Sequence, residues 1–163
     1  MITTTLPDLD ATERLAARLA PLLTDGDVIE LVGDIGAGKT TFTGALARAL
    51  GATEPVRSPT YTIAHRYALP PGAPAAFIAH LDCYRQVGAI DDAAWGDLEP
   101  YFEGGIACIE WPEPIRAWVH DRPTWRIELA AVSVDARVAR VGPPAADTRS
   151  AALLEALLAP AGA

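Results

Sequence analysis

The chain is short of several things. It has two cysteines, Cys83 and Cys108, so no disulfide framework can be built and a pair of reduced thiols is expected. No segment offers the roughly 18 uninterrupted apolar residues of a membrane-spanning helix, and no basic N-terminal stretch leads into an apolar run. A soluble, unexported, cytoplasmic protein is expected. Positive charge is scarce, with 13 Lys and Arg against 21 Asp and Glu and a net charge of -8. That balance argues against broad binding to nucleic acid or an anionic membrane, and no direct sequence-specific contact with nucleic acid is expected. Lysine and glutamine occur once each, as Lys39 and Gln86, and asparagine is absent.

What is present is organised around one stretch, Leu31-Val32-Gly33-Asp34-Ile35-Gly36-Ala37-Gly38-Lys39-Thr40-Thr41. Gly33, Gly38, Lys39 and Thr40 fall at the spacing G-x-x-x-x-G-K-[ST] of a phosphate-binding loop. Polyphosphate is dense negative charge, and backbone N–H groups bind it best when they converge on one point. Gly33, Gly36 and Gly38 let the chain turn sharply and approach closely. The loop feeds a helix N-terminus, whose partial positive charge favours an anion. Lys39 is placed to reach the β- and γ-phosphates, and the Thr40 hydroxyl to ligate Mg²⁺. The flanks agree. Asp27 to Val32 reads as a buried strand; Phe42, Ala45, Leu46, Ala49 and Leu50 recur at helical spacing, and Gly51 marks the stop.

With 163 residues, half of them hydrophobic, one domain over 1–163 is expected. Ile2 to Leu6 is β-prone. Asp8 or Asp10 can cap a helix through about Leu23, with Leu15, Leu19 and Leu22 or Leu23 on one face. Tyr61 to Tyr67 reads as a strand. Ala76 to Asp82 and Ile106 to Glu110 are apolar runs that each end in an acid. Helix and turn are expected over 88–104, and a short helix opened by Pro112 and Pro114 through about His120. Thr124 to Ala131 and Ala136 to Val141 alternate like a hairpin with its turn near Ser133-Val134-Asp135, and a last helix covers 148–159. The fold class is therefore α/β, a mainly parallel sheet flanked by helices with an antiparallel C-terminal hairpin. Ligands in such sheets bind at the carboxyl ends of the strands, where the glycine-rich loop also sits.

Phosphoryl chemistry needs a carboxylate for the metal and something to orient water. Glu110 and Asp82 are the two candidates, one for Mg²⁺ and the other for water, in either assignment. Thr60 or Thr62, in Ser58-Pro59-Thr60-Tyr61-Thr62, is a candidate contact to the γ-phosphate or the metal; an ordinary Ser-Pro turn fits equally. His80 shares the side of its strand with Asp82 and reads as a packed histidine rather than a catalyst. His65 and His120 carry no metal spacing. Trp111 suits either an interface or the core.

A switch GTPase reads guanine through Asn/Thr-Lys-x-Asp, which a chain without asparagine and with its one lysine in the loop cannot supply. The Ras-type glutamine is also missing, since Gln86 follows Tyr84-Arg85, so ATP is expected over GTP. A small-molecule kinase fits the length, with Arg85 or the Arg116, Arg122 and Arg126 regions as a lid. A nucleotide-sensing module that does not hydrolyse is a third reading.

Four blocks together resemble the TsaE (YjeE) family of bacterial ATPases of tRNA threonylcarbamoyladenosine biosynthesis: Gly33 to Thr41, Ser58-Pro59-Thr60-Tyr61-Thr62, His80-Leu81-Asp82-Cys83-Tyr84-Arg85 and Ile109-Glu110-Trp111-Pro112. The likeness runs from about residue 6 to 141, leaving 142–163 as a helical tail. It implies a P-loop α/β domain that binds and hydrolyses ATP with Mg²⁺ and acts on the TsaB–TsaD pair to support its turnover. By motif position it implies that Gly36, Ala37, Gly38, Lys39, Thr40, Thr41, Thr60 and Arg137 hold the nucleotide. Lys39, Asp82 and Glu110 would serve hydrolysis, with Thr40 and Glu110 at the metal.

Overall fold

The structure, a computed structural model, describes residues 1–58, 64–145, 149, 151, 152 and 155. In chain order the elements are β1 (Ile2–Leu6), α1 (Leu9–Leu19), β2 (Val28–Val32), α2 (Lys39–Ala49), β3 (Ala64–Ala68), β4 (Phe77–Asp82), α3 (Asp92–Leu98), β5 (Gly105–Glu110), α4 (Arg116–Val119), β6 (Thr124–Ala131) and β7 (Arg137–Gly142). The seven strands form one sheet, ordered β1-β7-β6-β2-β5-β4-β3. The central four, β6, β2, β5 and β4, are parallel. β7 and β1 extend one edge antiparallel, and β3 the other.

The parallel centre and the antiparallel hairpin at β6–β7 agree with the sequence pattern. Antiparallel pairing at the far edge, β3 on β4, was not part of that expectation. Its cause is the short link between them, closed by Leu69 N–H on Ala76 O (3.0 Å); a parallel return needs a crossover of about a dozen residues. α1 starts where expected, with Asp8 Oδ1 accepting from Ala11 N (2.7 Å). It ends at Leu19 instead of Leu23. Pro21 has no N–H for a further helical turn, and Ala20–Leu22 tighten into a 3₁₀ turn. α4 is also shorter than expected, because Pro112 to Ile115 form a turn of their own before it begins. Residues 61–63, expected to open β3, lie outside the described residues, as does most of the helix expected over 148–159. Arg149, Ala151, Ala152 and Glu155 are helical.

β2 and β5 are covered on both sides, which is why they read as apolar runs and not as alternating strands. On one face α1 and α2 bring Leu15, Leu19, Phe42 and Leu46 against Ile29, Leu31, Ile106, Trp125 and Ile127. On the other, Trp95, Leu98, Phe102, Ile115 and Val119 cover Val28, Leu81 and Ile109. Trp95 stacks on Trp118 at 5.4 Å between ring centroids. This two-sided packing holds the carboxyl ends of β2, β4 and β5 in one row, and the site is built on that row. Among the described residues, no helix is long and apolar enough to cross a membrane.

Candidate functional site

The loop between β2 and α2 folds tightly on itself and on β6. Gly33 has φ +149°, and a Cβ there would stand 2.2 Å from the Leu129 carbonyl oxygen, so no larger residue fits without moving the strand. Gly38 precedes α2 at φ +104°. It turns the chain so that the first N–H groups of α2, which have no partner within the helix, open onto the loop. Lys39 begins the helix and is buried. Its Nζ donates to Gly33 O (2.7 Å) and Asp34 O (3.0 Å), curling over the loop. Burial lowers the Lys39 pKa below the ordinary lysine value, against the opposing charges of Glu110, Asp82 and Asp34.

Those opposing charges show which sequence candidates the fold brings together. Asp82 and Glu110 are register partners at the ends of β4 and β5, and both lie close enough to Lys39 to act on it electrostatically. Glu110 is 5% exposed, and its Oε1 accepts from the Thr40 hydroxyl at 2.6 Å, across 70 positions of sequence. Burial pushes the Glu110 carboxyl up. Hydrogen bonds from His80 and Thr40, with the nearby Lys39 ammonium, outweigh it and hold the carboxyl below its usual range. Asp82 is more open, and its Oδ1 accepts from Tyr84 N (3.0 Å), which turns the chain out of β4.

β5 ends in an unusual step. Trp111 has φ +56°, the only positive φ of a non-glycine among the described residues, at a cost of about 1–3 kcal/mol. The step carries its indole over the Lys39 ammonium, 4.4 Å from ring centroid to Nζ, and against Tyr84 at 5.1 Å. Trp111 therefore lies beside the loop lysine, half-buried and packed against the edge of the core.

Arg137, at the start of β7, reaches the loop's backbone carbonyls with its guanidinium. It donates to Ala37 O (3.1 Å) and Gly36 O (3.4 Å), and to Ser133, Val134 and Ala136 carbonyls in the β6–β7 turn. It ties the loop to the hairpin. Beside it opens a cavity of about 270 Å³ walled by Asp8, Leu9 and Thr12 of the α1 start, Ala37, Gly38 and Thr41, and Val134, Asp135 and Arg137. Asp8, Leu9, Thr12, Val134 and Asp135 were not legible as site residues. They come from two widely separated segments, and no local spacing marks them. Thr60 lies outside the described residues. Arg116 and Arg126, candidates for a kinase lid, instead clamp the buried Glu30 (2.8 and 3.1 Å), and Arg122 holds Phe102 O (3.0 Å) and Glu103 (3.1 Å).

The donor set suits a magnesium polyphosphate. Ammonium, hydroxyl and helix N–H groups converge on one side, and two carboxylates on the other. Among the described residues no three His, Cys, Asp or Glu side chains converge to hold a metal by themselves. A cation here would need phosphate oxygens as further ligands, which is the usual way Mg²⁺ is held beside nucleotides.

The family model "Threonylcarbamoyl adenosine biosynthesis protein TsaE" matches residues 6–139. The chain belongs to the TsaE family. That family is involved in biosynthesis of threonylcarbamoyladenosine in tRNA. Among TsaE relatives, the Streptomyces coelicolor protein is 38% identical over 118 residues, 71% of this chain and 78% of that one. The Bacillus subtilis TsaE protein is 40% identical over 106 residues, 63% of this chain and 61% of that one. Among solved structures, YdiB of Bacillus subtilis superposes with a TM-score of 0.64 at 27% identity, covering 96% of this chain and 93% of that one.

Proposed function

We propose that the protein is a Mg²⁺-dependent ATPase of tRNA threonylcarbamoyladenosine biosynthesis that acts on a TsaB–TsaD pair and supports its turnover. The observation that carries this reading is the 2.6 Å hydrogen bond from Thr40 to Glu110 at the mouth of the loop that bears Lys39. A hydroxyl that gives its proton to a carboxylate keeps its oxygen lone pairs for a cation, so Thr40 and Glu110 together would hold Mg²⁺. The metal would neutralise charge on the transferring phosphoryl group. Lys39 would leave its carbonyls for the β- and γ-phosphates, and the loop N–H groups from Gly36 to Thr41 would cradle them. Asp82, beside Glu110, would orient the attacking water. The cavity between α1, the loop and the β6–β7 turn would take the nucleoside, with Arg137 keeping its walls in register.

The motif residues all serve one nucleotide site and fix no second substrate, which is why its work is placed on a partner. The test is phosphate release with and without the TsaB–TsaD pair. Slow turnover alone and a rise with the pair are expected. Lys39→Ala should lose nucleotide binding, whereas Glu110→Ala should bind nucleotide and lose turnover. Normal turnover in Glu110→Ala would overturn the assignment. ATP-dependent phosphorylation of a metabolite, with no partner present, would favour a kinase instead.

A further inference from the structure

His80 reads from the sequence as a packed histidine, and it is packed: the side chain is 0% exposed on β4 beneath α2. It is not idle. Its Nε2 lies 2.9 Å from Glu110 Oε1, the same oxygen that takes the Thr40 proton. Its Nδ1 is buried and has no hydrogen-bond partner among the described residues. These two facts select a tautomer. A proton on Nδ1 would be a buried donor with nothing to bond. A bare Nε2 lone pair would face a carboxylate oxygen. The neutral ring therefore carries its proton on Nε2 and donates it to Glu110. Glu110 Oε1 then holds two donors, one from β4 and one from α2, and Oε2 takes no hydrogen bond from the described residues.

Resting on the ATPase reading above, we propose that His80 is a positioning residue. Through Nε2–H it holds Glu110 in the one rotamer that accepts the Thr40 proton, and so prepares Thr40 and Glu110 for the cation before nucleotide arrives. A long carboxylate side chain at a strand end has several rotamers, and a single bond from Thr40 would leave it free to swing toward solvent. The second donor, on a ring immobilised in the core, removes that freedom. His80 is fully buried behind Glu110, so it acts only through Glu110.

Amide replacements separate this role from plain packing. In Gln the side-chain nitrogen sits near the place of Nε2; in Asn it sits near Nδ1. The readout is Mn²⁺ affinity of the protein loaded with the non-hydrolysable analogue AMP-PNP, followed by electron paramagnetic resonance. AMP-PNP affinity in EDTA is measured alongside. His80→Ala should weaken Mn²⁺ binding at least tenfold, with AMP-PNP affinity in EDTA within about twofold of the parent. His80→Gln should recover most of the loss, and His80→Asn should not. If His80→Ala fails to fold, the Gln and Asn variants carry the comparison. Nitrogen-15 NMR of the unliganded parent should find the proton on Nε2 and a bare Nδ1. Equal Mn²⁺ affinity in the Gln and Asn variants, unchanged affinity in His80→Ala, or a proton on Nδ1 would overturn the role of His80 and leave the ATPase reading standing. A parent protein that binds neither AMP-PNP nor Mn²⁺ with it would overturn both.

Discussion

Arg149 lies beyond the stretch matched by the family model, yet it reaches the bottom of the sheet. Its Nη1 sits 2.5 Å from Oδ2 of Asp27, a carboxylate that is 0% exposed. The same Oδ2 accepts from Thr24 N (2.9 Å) and Trp125 Nε1 (3.3 Å), and Oδ1 has no partner among the described residues. Replacing Arg149 with Met keeps an unbranched stem and removes the guanidinium, which lies 5.5 Å from the Trp125 ring centroid. Breaking a buried ion pair from one side costs about 3–5 kcal/mol, because the remaining charge stays buried and unpaired. The Arg149 side chain is 20% exposed, so solvent already screens part of the pair and the lower end applies, about 3 kcal/mol. For a chain of this length each kcal/mol shifts Tm by about 2–4 °C, so a fall of roughly 6–12 °C is expected by calorimetry. Asp27→Asn removes the stranded charge, so in that background Arg149→Met should cost only about 1 kcal/mol, the worth of an ordinary hydrogen bond. A fall of less than 3 °C in the single variant, or equal costs in the two backgrounds, would refute the account of Asp27 as a buried charge neutralised by the tail.

Gly33→Ala puts a methyl group into the Leu129 carbonyl at a positive φ. Strain of about 1–3 kcal/mol is expected, with loss of nucleotide affinity in a binding titration; parental affinity would mean that the loop is not held against β6. Burial pushes the Cys83 thiol up to about 12, and Cys108, fully buried, higher still. At pH 8 about one Cys83 in ten thousand is then thiolate, so an aromatic disulfide reagent should label neither cysteine in the native protein and both in urea. Rapid native labelling of either cysteine would show that the packing over its face of the sheet opens.

Much was legible in the chain because the chemistry is local. A glycine-rich loop, its lysine and threonine, and the strand before it occupy adjacent positions, and close spacing alone dictates that they act together. Apolar runs ending in Asp82 and Glu110 marked two strand ends by the same local logic. What no local pattern could state is register. That Glu110 meets Thr40 across 70 positions, that His80 donates to the same oxygen, and that Arg137 ties the loop to the hairpin all depend on which strands are neighbours and how far each is shifted. The cavity wall from α1 and the β6–β7 turn was hidden for the same reason. The edges of the sheet were also settled late, since β1 and β3 are short strands whose pairing follows from link length and from the partners already in place. Sequence determined the groups and the class of chemistry they suit; the tertiary structure decided which oxygen each donor faces, because hydrogen bonds of 2.6 to 3.4 Å tolerate no slip of a residue, and only the packed sheet removes that slip.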